Sequence, residues 1–292
     1  MPVRAKRNME IIKKATVLLI ATVLSTNIQA ENIGLHLGIQ LWKSKANGTF
    51  GEKNSSTKAE SSDNQKTNFH IKLIHPFRLL PNARISTASF DASGLSEFSR
   101  EYSNDTDTAH VDVVENVKAN NRFNLSYVDY TLFYQVLNNG QFSMELGLTA
   151  RDFGDDVVYS ETADITTTTR DFIWDGPDHD DHDYHNIVET SKRISADHLR
   201  VDEIEPMVFI AGKLLTPVEG VGAFFEANIS LASEQTVYDY LVGVDYDLLD
   251  NRMVDLNISA GYRASQMDFE DLDGLYSDIE FKGVFIGFTT RF

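Results

Sequence analysis

The residues best suited to chemistry are crowded into one stretch, Asp175-Gly176-Pro177-Asp178-His179-Asp180-Asp181-His182-Asp183-Tyr184-His185. His179, His182 and His185 recur at every third position, with Asp178, Asp180, Asp181 and Asp183 beside them. Imidazole and carboxylate donors at that density form a ligand set for Zn²⁺, Cu²⁺ or Ni²⁺. The surrounding segment 154–203 holds 14 acidic residues against 4 basic ones, so it would concentrate cations. The same composition reads as a solvated acidic loop, because Gly176-Pro177 and repelling like charges leave no second shell to fix ligands. Asp178, His179, Asp180 and His182 are also the types that activate a water molecule, but no matching carboxylate pair stands at the top of another strand candidate. His75 has no nucleophile partnered to it. The acidic run Asp268 to Gly274 lacks the twelve-residue calcium-loop pattern with its closing Glu. No catalytic residue and no resident cofactor is expected, only loosely bound divalent cations.

A second set is ionic. Lys72, Arg84, Arg151, Lys213, Arg263 and Arg291 are matched by Asp129, Glu145, Glu226, Asp239, Asp245 and Asp255. These residues occupy the polar phase of segments that alternate with period two. Ile33, Leu35, Leu37, Ile39 and Leu41 share one face, and Gly34, His36, Gly38 and Gln40 the other. The same pattern returns at Phe69-Ile71-Leu73, at Val128-Tyr130-Leu132-Tyr134-Val136 with Phe133 as an exception, and at Phe142-Met144-Leu146-Leu148. It returns again at Phe225-Ala227-Ile229-Leu231, at Tyr238 to Tyr246 and at Val254 to Ala260. Strands of about 9–15 residues with apolar outsides and charged insides suit a transmembrane barrel better than a soluble sandwich.

Ten strands are predicted, over 33–43, 68–77, 83–90, 123–137, 141–153, 204–214, 221–232, 236–248, 252–266 and 276–292. Losing one hairpin would give eight. Short links at 78–82, 138–140, 215–220 and 249–251 alternate with polar segments. The longest, 44–67, 91–122 and 154–203, are expected as extracellular loops, and Ser55 to Ser62 and Thr166 to Thr169 as polar loop runs. The fold class is therefore all-β, an antiparallel up-and-down barrel over residues 31–292. About eight strands already fill an interior with side chains, so the opposed charges are expected to pair into a lumen network around a narrow or occluded pore.

The first thirty residues are set apart. Arg4, Lys6, Arg7, Lys13 and Lys14 precede a ten-residue apolar run, Ala15 to Leu24, and a small-residue exit at Ala30. That is the pattern of a secretory signal peptide cleaved near Ala30, and the run is too short to span as a helix. Removing it takes away five basic residues and one acid, Glu10, which moves the formal charge from −18 to −22. So acidic a chain is not a nucleic-acid binder, and with no cysteine it is neither a disulfide scaffold nor a thiol enzyme.

The chain stops on Phe292, with Phe288 and apolar residues at alternate positions behind it. This is similar to the C-terminal assembly signal of outer-membrane barrels, with Thr290 as a departure. Further stretches resemble an uncharacterised family of Gram-negative outer-membrane β-barrel proteins. They are His75-Pro76-Phe77-Arg78-Leu79-Leu80-Pro81-Asn82, Leu146-Gly147-Leu148-Thr149-Ala150-Arg151, Gly261-Tyr262-Arg263, Asp271-Leu272-Asp273-Gly274-Leu275-Tyr276-Ser277-Asp278 and Phe281-Lys282-Gly283. The resemblance implies the fold and an outer-membrane location, and brings no functional residue. The expected partners are outer-membrane lipid and lipopolysaccharide, which the 268–274 tip would meet through divalent ions, and the outer-membrane assembly machinery, with the chain monomeric. Two function classes follow: a structural or interaction barrel, as a narrow small-solute channel at most, or a rim enzyme or metal-capturing barrel built on 175–185.

Overall fold

The computed structural model describes residues 33–292 except 53–54, 60–63, 78, 106–108, 155, 174–184, 202, 232–234, 251–253 and 273. The targeting stretch 1–30 lies outside the described residues, as do Asp178, His179, Asp180, His182 and Asp183. His185 opens a strand, but its side chain is outside them too.

Among the described residues, thirteen antiparallel strands follow one another in a single sheet: β1 (Gly34–Glu52), β2 (Ser55–Lys58), β3 (Asn64–Ile74), β4 (Asn82–Asp105), β5 (Ala109–Asn138), β6 (Phe142–Asp152), β7 (Asp156–Ile173), β8 (His185–Val201), β9 (Ile204–Leu215), β10 (Val221–Ser230), β11 (Gln235–Asp250), β12 (Asp255–Leu272) and β13 (Leu275–Arg291). Ten of them, β1, β3, β4, β5, β6, β9, β10, β11, β12 and β13, pair with their neighbours around a closed ring, sealed where β13 meets β1. Phe292 completes the seal: its N–H donates to the Leu35 carbonyl (3.0 Å) and the Leu35 N–H donates back (3.3 Å). Closure gives each of these strands a laddered neighbour on both sides along at least part of its length, which is the condition for a sheet to sit in hydrocarbon.

The remaining strands are where the structure departs from the sequence expectation. The segments 44–67, 91–122 and 154–203 are not loops along their length. β4 and β5 stay paired from Asn82–Phe133 to Asp105–His110, and β7 and β8 carry on upward from β6 and β9 as one long hairpin. The Thr166 to Thr169 run lies inside β7, and β2 occupies part of Ser55 to Ser62. The reason is cross-strand packing of small residues: Ala119, Ala163, Val117 and Ile165 form a buried patch that hydropathy alone undervalues.

The outer surface of the ring carries Leu37, Ile39, Leu41, Phe69, Leu132, Leu148, Val242, Val244, Val284 and Ile286, all exposed. An apolar belt that runs around a closed wall belongs in lipid, not water. It gives way to exposed Lys43 and Lys45 on β1 and Lys282 on β13. β5, at 30 residues, is roughly 100 Å long, far more than a belt about 25 Å tall requires. The barrel therefore continues well above the membrane.

Candidate functional site

The inward positions divide the lumen into two zones. Near the short turns the zone is ionic. Arg151 on β6 is fully buried and grips Asp129 of the adjacent β5 with two bonds, Nε to Oδ1 at 2.8 Å and Nη2 to Oδ2 at 2.9 Å. Their strands hold them opposite each other in register, and the guanidinium lies 3.6 Å from the centre of the Tyr127 ring. Arg263 on β12 holds Asp239 of β11 through Nε at 2.9 Å and through Nη2. The Tyr127 hydroxyl donates to Asp239 at 2.6 Å and receives from Arg263 at 3.3 Å. Arg263 Nη1 reaches Gln40 on β1 (3.1 Å), which in turn accepts from Asn68 on β3 (3.4 Å). A chain of bonds thus joins β5, β11, β12, β1 and β3, and the contact of Arg151 with the Tyr127 ring ties β6 to it; such charge-assisted bonds are strong in a low-dielectric interior.

The other expected charges are brought together across the bore. Lys72 meets Glu145 at 2.7 and 2.8 Å, and Arg84 meets Glu226. Lys213 on β9 meets Asp245 on β11, passing over β10 at Gly222. A Cβ there would stand 2.3 Å from Asp245 Oδ1 and 2.8 Å from Lys213 Cε, so the pair meets in this position over a glycine. Arg291 and Asp255 sit opposite each other at the open mouth, 3.8 Å apart and half exposed. All twelve charges read from the alternation find a partner within the set.

Between these pairs lies a cavity of about 520 Å³. Its lining includes His36, Asn68, His70, Tyr127, Asn228, Asn257, Ser259, Phe224 and Phe285. The His70 ring lies across Gly38, whose Cα would carry a Cβ only 1.9 Å from the imidazole.

Toward the tall hairpins the lumen is apolar, where a wet, charged interior was expected. Trp42, Phe50, Phe90, Phe123, Leu125, Phe153, Met207, Met267, Phe269 and Phe281 are all buried in one cluster. Phe90 stands 5.5 Å from Trp42, 5.5 Å from Tyr127 and 5.0 Å from Phe281, ring centre to ring centre. β2 closes over this cluster, with Thr57 bonded to Asn121, which also accepts from the Tyr159 hydroxyl at 3.1 Å. Sequence reasoning missed this zone and missed Tyr127. The available signal was phase: Trp42 shares the face of Gln40, and Phe133 that of Asp129 and Thr131.

Phe288 and Phe292 point outward and are partly exposed. Among the described residues no group of three His, Asp or Glu stands close enough to hold a metal ion. Asp268 and Asp278 face each other across the β12–β13 hairpin outside the belt. Partial burial, then Asp278 and Glu270, raise the Asp268 carboxyl above the ordinary carboxylate range.

No family model and no curated protein matches the chain. Among solved structures, it is similar to a Pseudomonas aeruginosa FadL homologue at 6% identity, with 90% of each chain covered and a TM-score of 0.33. It is also similar to the outer-membrane protease OmpT of Escherichia coli at 10% identity, covering 92% of this chain and 98% of that one, with a TM-score of 0.32. The Pseudomonas putida toluene transporter TodX is similar at 7% identity, with 89% of each chain covered and a TM-score of 0.29. None of these likenesses brings a residue or an activity to this chain.

Proposed function

We propose that this chain is an integral barrel of a Gram-negative outer membrane, of structural and interaction type, with an axis closed to ions and no catalytic role. The observation that carries the reading is the pairing of an apolar outer belt with an aromatic core that fills the bore beneath the hairpins. A soluble β-sandwich would put its apolar face inside and its charges outside, and here the ionic groups line the interior. The targeting pattern of residues 1–30 supports export. Six of the lumen carboxylates are tied to cations, and the buried Glu205 accepts from the Ser230 hydroxyl, so none of these seven is poised on a water molecule. Contact with other molecules falls to lipid and lipopolysaccharide around the belt and to the tall outer hairpins.

Conductance of refolded residues 31–292 in a planar bilayer tests the reading. A folded barrel that gives no discrete openings is the expected result. Reproducible ion-conducting steps would overturn it.

A further inference from the structure

The wall has one incomplete seam. β3 and β4 are laddered from Leu73–Ala83 to His70–Ser86, and there the ladder stops. Above it β3 continues on β1 alone and β4 on β5 alone. The next bridge is a side-chain substitute, with the Phe69 N–H donating to Thr87 Oγ1 at 3.3 Å, followed by the ion pair of Lys66 with Asp91. Inside the hydrocarbon an unladdered edge would be costly. The seam opens where the outward side of β4 changes from Ile85 to Thr87, Ser89 and Asp91, toward the upper margin of the belt to which Phe69 belongs. The luminal cavity reaches it: the outward-facing Phe69 and Thr87 line the cavity together with the inward-facing His70 and Ser86.

We propose that the cavity is a binding site reached from the outer face through this β3–β4 seam, and that it takes small neutral solutes rich in hydroxyl groups. The proposal rests on the barrel reading above and adds a route and a ligand class to it. The axial way in is filled by the aromatic cluster and β2, so the seam is the path left from that side. The ligand class follows from the lining. Its buried charges already neutralise one another in pairs, and the exposed Asp247 is the carboxylate left over, so an ion entering past Asp247 would have to break a pair to gain a partner. Three cavity-lining atoms remain without a partner: Asn68 Oδ1 and Asp245 Oδ1, on side chains more than nine-tenths buried, and Nε2 of the half-buried His36. The two oxygens accept and call for donors, and the imidazole nitrogen meets a hydroxyl in either role. The Phe224 and Phe285 rings, 6.3 Å apart, offer apolar faces to the carbon side of such a solute. A volume of about 520 Å³ falls in the range of small-molecule sites.

The chain has no cysteine, so Ser259→Cys places a single reporter in the cavity wall, on β12. The probes are methanethiosulfonates that do not cross the bilayer, one neutral and carrying a glucosyl group, one a trimethylammonium and one a sulfonate. They are added to the outer face of sealed proteoliposomes and read by mass on the Ser259 peptide. The neutral reagent is expected to label, with the charged ones slower by about tenfold. Adding Phe69→Cys and Thr87→Cys and oxidising them to a disulfide closes the seam. Labelling is then expected to slow by about tenfold or more, and reduction of the same protein to restore it. Lys66→Ala, which removes the ion-pair bridge without new covalent chemistry, is expected to speed labelling. Labelling that ignores the disulfide overturns the side route, and equal rates for all three probes overturn the ligand class. This failure is separable from that of the barrel reading, because ion-conducting openings that persist in the oxidised protein would overturn the closed axis alone.

Discussion

Arg151 and Phe90 are both sealed from solvent inside the same bore, and they are held there by different means. Arg151 depends on one carboxylate with fixed geometry, and its burial costs several kcal/mol unless Asp129 is present. Phe90 depends on no single neighbour, since Trp42, Tyr127 and Phe281 share the contact. The ionic zone is thus specific in its partners, while the aromatic zone is specific only in volume. Tyr127 joins the two, with its ring stacked on Phe90 and beneath Arg151, and its hydroxyl on Asp239.

That contrast can be broken at its strongest point first. Asp129→Ala leaves Arg151 buried and unpaired, and is expected to lower stability by about 4 kcal/mol. Urea unfolding followed by Trp fluorescence reads this, since Trp42 is wholly buried in the neighbouring zone. The double change Asp129→Ala with Arg151→Met is expected to recover most of the loss, as apolar replacement of a buried pair often does. No recovery would mean that the zone needs its charges for more than mutual satisfaction. Phe90→Ala is expected to cost about 3 kcal/mol by leaving an apolar void, with the bilayer still silent because dry cavities carry no ions. Conductance in that variant would show that volume alone keeps the axis shut.

The smallest effect lies outside both zones. The Asp268 carboxyl is raised by partial burial and by Asp278 and Glu270, so the folded state disfavours its charged form. Its contribution to stability is greatest when it is protonated and falls as pH rises through the raised value. Asp268→Asn should therefore raise stability by about 0.5 kcal/mol or less at neutral pH, with the gain vanishing in acid. A gain independent of pH would remove like-charge repulsion as the cause.

The ten wall strands were legible because one face had to be apolar against lipid, which turns alternation into a clean period-two pattern such as Leu37-Ile39-Leu41. The ionic partners were legible for the same reason: Asp129, Arg151, Asp239 and Arg263 stand out on the opposite phase. Above the belt that constraint lapses. In β4, β5 and β7 the buried positions are small residues such as Ala92, Ala119 and Ala163, and the outward ones are Lys, Glu, Asn and Thr. Such segments have the composition of loops, and only their pairing makes them strands. The aromatic filling was hidden because an inward Trp42 or Phe90 looks, one residue at a time, like an outward aromatic out of phase.

The pairing of β1 with β13 also constrains how the molecule can come to exist. These strands stand at opposite ends of the strand order, so the last pairing in the ring joins residues more than 200 positions apart, from His36–Arg291 to Gly51–Tyr276. Until it forms, both strands carry an open row of amide and carbonyl groups that hydrocarbon cannot satisfy. A half-built ring therefore has no stable resting place within the bilayer. Insertion and closure must be concerted, or the open edges must be sheltered by another protein until they meet.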